Sequence, residues 1–381
     1  MKITVLGLIV MALALPGCAW FRDEPAVVPA QLEDFTEEVE LNRLWRVNVG
    51  NGQGGKYNRL MPAISGQTIY AASNNGNIIA TNLASGRRDW RYRADAEITG
   101  GVGVSNSLVL VGTQDSRVIA LAQESGEFLW EAQVSSEVLS VPKTNGNIVV
   151  VQAIDGKLIG LDAQSGNQIW LYESTVPALS LRGTSSPLIL DNFVIAAFGN
   201  GTVVSVALDN GTLRWEERVA IPTGRSEIDR LIDIDGELYL NDNGLLIVPS
   251  YQGYLAALEV TTGQIRWRVE ESSALGAAAG FGNIYICDER SHVKAYRTGQ
   301  QTPVWTNEQL FLRQLSPPTS FSNYVAVGDF EGYVHLLSQV DGRFVGRIKA
   351  DSDGVRAPIL VRNNTLYVYG NSGRLSALGI R

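Results

Sequence analysis

Apolar and polar residues alternate in short runs along most of this chain. Met61–Ile64 and Thr68–Ala72 are two such runs, and Asn283-Ile284-Tyr285-Ile286-Cys287 is a third. A period of two turns one face of a run inward and the other outward, which is the signature of a β-strand. No helical period of useful length follows the first residues. A phrase punctuates the runs. Ser85-Gly86-x3-Trp90 returns as Ser125-Gly126-x3-Trp130, Ser165-Gly166-x3-Trp170, Asn210-Gly211-x3-Trp215 and Thr262-Gly263-x3-Trp267, with a looser copy at Thr298-Gly299-x5-Trp305. Seven of the eight Trp residues belong to this series when Trp45 is counted, and Trp20 stands outside it.

A second turn precedes each Trp at a fixed distance. Gly76 to Trp90 is 14 residues, and so are Ser116 to Trp130, Gly156 to Trp170, Gly201 to Trp215, Gly253 to Trp267 and Ser291 to Trp305. The same count from Gly332 lands on Gly346, a copy of the unit without its Trp. Asn75-Gly76, Asp155-Gly156 and Asn200-Gly201 are signals for two-residue hairpins, which need positive φ. Strand, turn and strand at fixed length, with two strands before them, make a unit of about 40 residues, the size of one propeller blade.

The chain ends complement each other. Leu44-Trp45-Arg46-Val47 reads as a last strand with no blade before it. Val355–Val361, Thr365–Tyr369 and Arg374–Leu378 read as three strands with no last strand after them. Joining them completes an eighth blade and removes free sheet edges. The expected fold is all-β: an eight-bladed β-propeller of four-stranded antiparallel blades over residues 43–381. Four residues after each turn stands a small residue, Ala80, Ala120, Gly160, Ser205, Ala257, Ala295 or Ala377, with Leu336 as the exception. The pattern predicts that each Trp packs near this position and locks neighbouring blades. Leu336 and Gly346 then form one compensated change in the seventh blade.

Composition adds what the chain is not. Its net charge of -8 and pI near 5.0 argue against broad electrostatic binding to nucleic acid. Lys2 and the apolar run Ile3–Leu15 suit a signal peptide and are too short to span a bilayer. Leu15-Pro16-Gly17-Cys18 resembles a bacterial lipobox. That resemblance implies cleavage of residues 1–17, lipidation of Cys18, a linker over 18–42 and, with Ala19 following, the periplasmic face of the outer membrane. Cys287 is then left without an internal disulfide partner, and its strand context predicts a buried, inert thiol.

The repeat resembles the pyrroloquinoline-quinone-type propeller repeat of quinoprotein alcohol dehydrogenases. That family implies a calcium site, a catalytic Asp and often a vicinal disulfide. This chain has no adjacent Cys pair, and His292 and His335 show no ligand spacing. Phosphate loops, nucleophile elbows and zinc motifs do not occur. Asp233-Ile234-Asp235 lacks the remaining ligands of a calcium loop. The reading is therefore a protein that is not an enzyme, with no catalytic residue, cofactor or metal.

Function is sought where the ruler fails. From Trp to the next turn the interval is 26 residues after Trp90 and Trp130, but 31 after Trp170, 38 after Trp215 and 31 after Trp45. The surplus falls in crossovers near residues 173–183 and 219–234, with Gly-rich Gly50–Gly55 in the first interval. Such crossovers emerge on one face of a propeller. The first long one carries Val176, Leu179, Leu181 and Arg182; the next carries Arg225, Glu227, Asp229, Arg230, Asp233 and Asp235. Apolar anchors beside Arg and acids suit protein recognition; solvated loops with Leu179 and Leu181 tucked under them fit the same residues equally well. Together with the lipobox and repeat, Leu179-Ser180-Leu181-Arg182-Gly183 and Glu227-Ile228-Asp229-Arg230-Leu231-x-Asp233-x-Asp235 resemble the BamB family, propeller lipoproteins of the outer-membrane β-barrel assembly (BAM) complex. The resemblance implies that Leu179, Leu181, Arg182, Asp233 and Asp235 bind the periplasmic POTRA domains of BamA. It departs in Asp235–Asn241, which lacks a Thr/Pro-rich strand start.

Overall fold

The computed structural model describes residues 27–105, 107–177, 179–223, 225–226 and 228–381; Cys18 and Glu227 lie outside the described residues. Eight four-stranded antiparallel sheets follow one another around an axis. First strands of neighbouring blades touch one another, which places them innermost. Seven blades use four consecutive strands. The eighth takes Leu360–Arg362, Thr365–Tyr369 and Arg374–Ile380 from the end of the chain and Leu41–Asn48 from its start. Trp45 sits opposite Ala377 in this closing pair. The closing strand begins at Leu41, two residues before the expected boundary. In the fifth blade the start is short: Tyr239–Leu240 pairs with Leu245–Pro249 through Tyr239↔Ile247 and Leu240↔Leu246.

Each Trp lies directly across from its small residue, as Trp90↔Ala80, Trp130↔Ala120, Trp170↔Gly160, Trp215↔Ser205, Trp267↔Ala257 and Trp305↔Ala295. The ring then reaches the next blade. Trp45 Nε1 donates to Leu83 O at 2.8 Å, Trp130 Nε1 to Ala163 O at 2.9 Å and Trp170 Nε1 to Leu208 O at 2.8 Å. Trp90, Trp215, Trp267 and Trp305 do the same to Gln123, Val260, Gln300 and Gln339. The glycine of the recurrent phrase explains itself here. A Cβ on Gly166 would stand 2.6 Å from the Trp130 ring, and Gly166 also has a φ of 74°. Glycine therefore supplies the turn and makes room for the neighbour's indole.

Where the seventh blade lacks Trp, Leu336 does sit opposite Gly346. The structure adds a second compensation. Residues 27–40, read from sequence as linker, lie along the propeller as a strap. Glu38 and Val39 both donate their amides to Val345 O at 2.9 Å, and a Cβ on Gly346 would stand 2.6 Å from Val39 O. Phe35 packs on Phe344 with ring centroids 5.5 Å apart. Arg313 donates to Ala30 O at 2.9 Å and Arg347 to Glu33 O at 3.0 Å. Arg347 Nε also donates to His335 Nδ1 at 3.1 Å, so this buried imidazole carries its proton on Nε2, toward Asp329 Oδ2 at 3.0 Å. Cys287 is buried, and desolvation pushes its thiol well above the usual range.

Candidate partner-binding surface

Every outer strand hands the chain to the next inner strand on the face that carries the turns between second and third strands. Backbone bonds mark the handover: Ala94 N to Gly76 O, Val134 N to Ser116 O, Ser174 N to Gly156 O and Val219 N to Gly201 O. Three crossovers on this face are long, spanning residues 49–62, 174–187 and 219–238. Irregular backbone on this scale needs partners for its amides. Side chains of the crossovers supply several of them.

The two crossovers singled out in the sequence are tied together by Asp233. Its Oδ2 accepts from Leu181 N at 2.8 Å and its Oδ1 from Ile234 N at 2.9 Å. Tyr251 N donates to Asp233 O at 2.8 Å, which fixes the second crossover to the fifth blade. Asp235 packs against Gly183, where a Cβ would stand 2.5 Å from Asp235 Oδ2. Asp233 and Asp235 are only 3% and 4% exposed. They lie beneath the crossover rather than on its outer surface. The outward layer is different: Leu179 is 46% exposed, Ile228 72%, and Leu181 is half-buried. Ser226 and Asp229 close their own turn through Ser226 N to Asp229 Oδ2 and Asp229 N to Ser226 Oγ, both 3.1 Å.

The buried acid pair has an electrostatic consequence. Desolvation, then the neighbouring Asp235, push the Asp233 carboxyl up to about 8. Burial likewise raises Asp235, and the nearby Arg59 offsets this in part. Neither Asp235 oxygen has a hydrogen-bond partner among the described residues. Two carboxyls this close and this dry do not both ionise in the ordinary acid range.

Arg182 is not a free cation. Its Nη1 and Nη2 grip Glu137 Oε2 and Oε1 at 3.0 and 2.8 Å, and Nη2 also donates to Asn58 Oδ1 at 3.3 Å. The fork leaves Nε–H and one Nη1–H for another molecule. Glu137 and Asn58 were not among the sequence candidates. Glu137 gave no signal, since its crossover has ordinary length. Asn58 did, through the 31-residue interval after Trp45. A cavity of about 830 Å³ opens beside these groups, lined by Leu181, Arg182, Asp235, Tyr57 and Arg59 together with Val27 of the strap. Among the described residues, no group of three or more His, Cys, Asp or Glu side chains is placed to hold a metal ion.

A family model described as "Outer membrane protein assembly factor BamB" matches residues 74–307. A curated protein of that name from Pseudomonas aeruginosa is 56% identical over 375 residues, covering 98% of each chain. Its namesake from Escherichia coli is 32% identical over 99% of this chain and 98% of that one. Among solved structures, BamB from Moraxella catarrhalis superposes with a TM-score of 0.81 at 29% identity, covering 89% of this chain and 99% of that one. A europium-containing methanol dehydrogenase also superposes, with a TM-score of 0.70, but at 14% identity this likeness concerns the fold alone. With the family model spanning most of the ring and relatives matching from end to end, the chain belongs to the BamB family of outer membrane protein assembly factors.

Proposed function

We propose that this protein is a non-catalytic scaffold of outer-membrane protein assembly, held at the periplasmic face of the outer membrane by a lipid on Cys18. In this reading its crossover face binds the POTRA domains of BamA. The observation that carries the binding site is the bond from Leu181 N to Asp233 Oδ2, which joins the two long crossovers into one surface. On that surface Leu179 and Leu181 are the apolar anchors, and Arg182 offers its remaining N–H groups. Asp233 and Asp235 act from beneath, holding the anchors in position. Partly exposed apolar residues beside a pre-positioned guanidinium form the kind of anchor that dominates interface energies. The names of the relatives support the assembly role.

Co-purification with BamA tests the reading. Leu179→Asp alters an exposed side chain and leaves the propeller folded; it should weaken retention of BamA at least tenfold. Arg182→Glu should weaken it as well, since it sets a second acid beside Glu137. Full retention by both variants, with unchanged unfolding curves, would remove this face from consideration.

A further inference from the structure

The third long crossover, residues 49–62, is not part of the two-loop surface described above, yet it meets that surface across the axis. Its glycines explain how. Gly52 has a φ of 66°, and a Cβ there would lie 2.0 Å from Asn371 O, so the loop presses onto the eighth blade. Gln53, 1% exposed, then braces the loop from inside. Its Nε2 donates to Leu60 O at 2.9 Å, its Oε1 accepts from Leu60 N at 2.7 Å, and its carbonyl accepts from Asn58 Nδ2 at 2.9 Å. The result is a rigid loop that holds out Tyr57, which is 46% exposed.

Two arginines gather at this tyrosine. The Arg356 guanidinium lies 3.9 Å from the Tyr57 ring centroid and donates to Asn58 O at 3.2 Å. Arg59 lies 5.8 Å from the same ring and donates to Ala274 O at 3.0 Å. Among the described residues, neither is within ion-pair distance of a carboxylate. Arg182, the third guanidinium here, has Glu137. Arg59 acts electrostatically on Asp235, whose burial favours its neutral form. Burial weakens the hold of the Arg356 guanidinium on its proton, and the nearby Arg59 weakens it further. In a chain of net charge -8 these are two guanidiniums without an ion-pair partner among the described residues, one on the braced loop and one donating to it, and they are continuous with Arg182 through Asn58.

We propose that Tyr57, Arg59 and Arg356 form a second half of the docking surface, and that it receives a carboxylate-bearing segment of the protein partner. Charge complementarity selects the occupant. Two unneutralised guanidiniums favour an acidic side chain, and the exposed tyrosine supplies an apolar ring on which that segment rests. Because the loop is braced by Gln53, little conformational entropy is lost on docking. The inference rests on the scaffold reading and extends its site from the fourth and fifth blades to the first and eighth.

The test uses the full-length chain and the BamA POTRA domains, with Kd measured at several salt concentrations. Arg356→Gln and Tyr57→Ala should each weaken binding about tenfold, and Arg356→Gln should also flatten the dependence of Kd on salt. Arg356→Lys should recover part of that salt dependence, and Tyr57→Phe should bind as the parent does. A structural role alone would change the unfolding curve and leave the salt slope intact. If Leu179→Asp weakens binding while Arg356→Gln and Tyr57→Ala do not, this second half is wrong and the first stands. If the parent chain itself shows no binding, both fall.

Discussion

At the scale of single residues, the acidic pair shows how sequence and structure divide the work. Asp233 and Asp235 stand out in the sequence, but nothing there says that they point inward. Burial decides that, because a glycine from another loop lies against each: Gly183 of the neighbouring crossover against Asp235, and Gly199 of a fourth-blade turn against Asp233. Gly183 and Gly199 leave room for a carboxyl that any Cβ would crowd. The pair has a measurable signature. Its carboxyls are raised from the ordinary range, so the folded protein keeps a proton that the unfolded chain releases above about pH 4. The resulting loss of stability grows as pH rises toward the raised value of about 8 for Asp233. Asp235→Asn keeps the shape and removes one titrating group. Its melting temperature should gain on the parent, by more at pH 8 than at pH 5. An equal difference at both values would mean that the pair is fully ionised throughout.

At the scale of elements, the lock between blades is the recurring device, and most of it can be read in the sequence. The fixed 14-residue spacing arises because the turn opens one strand of a hairpin and Trp lies on the other, across from the fourth residue after the turn, where an insertion would shift the indole off its partner. The docking target was less legible. Small residues such as Ala120 were correctly placed opposite each Trp, but the carbonyl and glycine of the next blade depend on how blades stack. Trp130→Ala should cost about 3–5 kcal/mol, read from denaturant unfolding. Trp130→Phe should cost less, since it keeps a ring on Gly166 and loses the bond to Ala163 O. An unchanged midpoint for Trp130→Ala would refute the lock. The strap of residues 27–40 was not legible at all. Its alternation is weak and its contacts are long-range, from Ala30 to Phe311 and from Val39 to Val345. It fills the place of the missing Trp only because the closing strand Leu41–Asn48 delivers it there.

At the scale of the whole molecule, ring closure is the feature that joins both ends of the chain. Leu41–Asn48 covers the edge of Arg374–Ile380, pairing from Leu41↔Ile380 to Asn48↔Arg374. A variant beginning after residue 48 would expose that edge and lose the Trp45 lock. It should unfold at least 10 °C below the parent and self-associate in sedimentation, because an unpaired edge strand is a template for pairing. A monomer of parental stability would show that closure contributes little. Strand number, blade count and ring closure follow from local periodicity, and this is why they were readable: hairpins of fixed length repeat, and two incomplete ends can only complete each other. The long crossovers were readable as places where the ruler fails. Which of their side chains face outward was not, because exposure depends on the meeting of loops far apart in the chain. Arg182 meets Asn58 across 124 residues, Leu181 meets Asp233 across 52, and Arg356 meets Asn58 across 298. Periodicity records what each strand does with its neighbours. Only the closed ring decides which loops share its axis, and so which charges remain unpaired there.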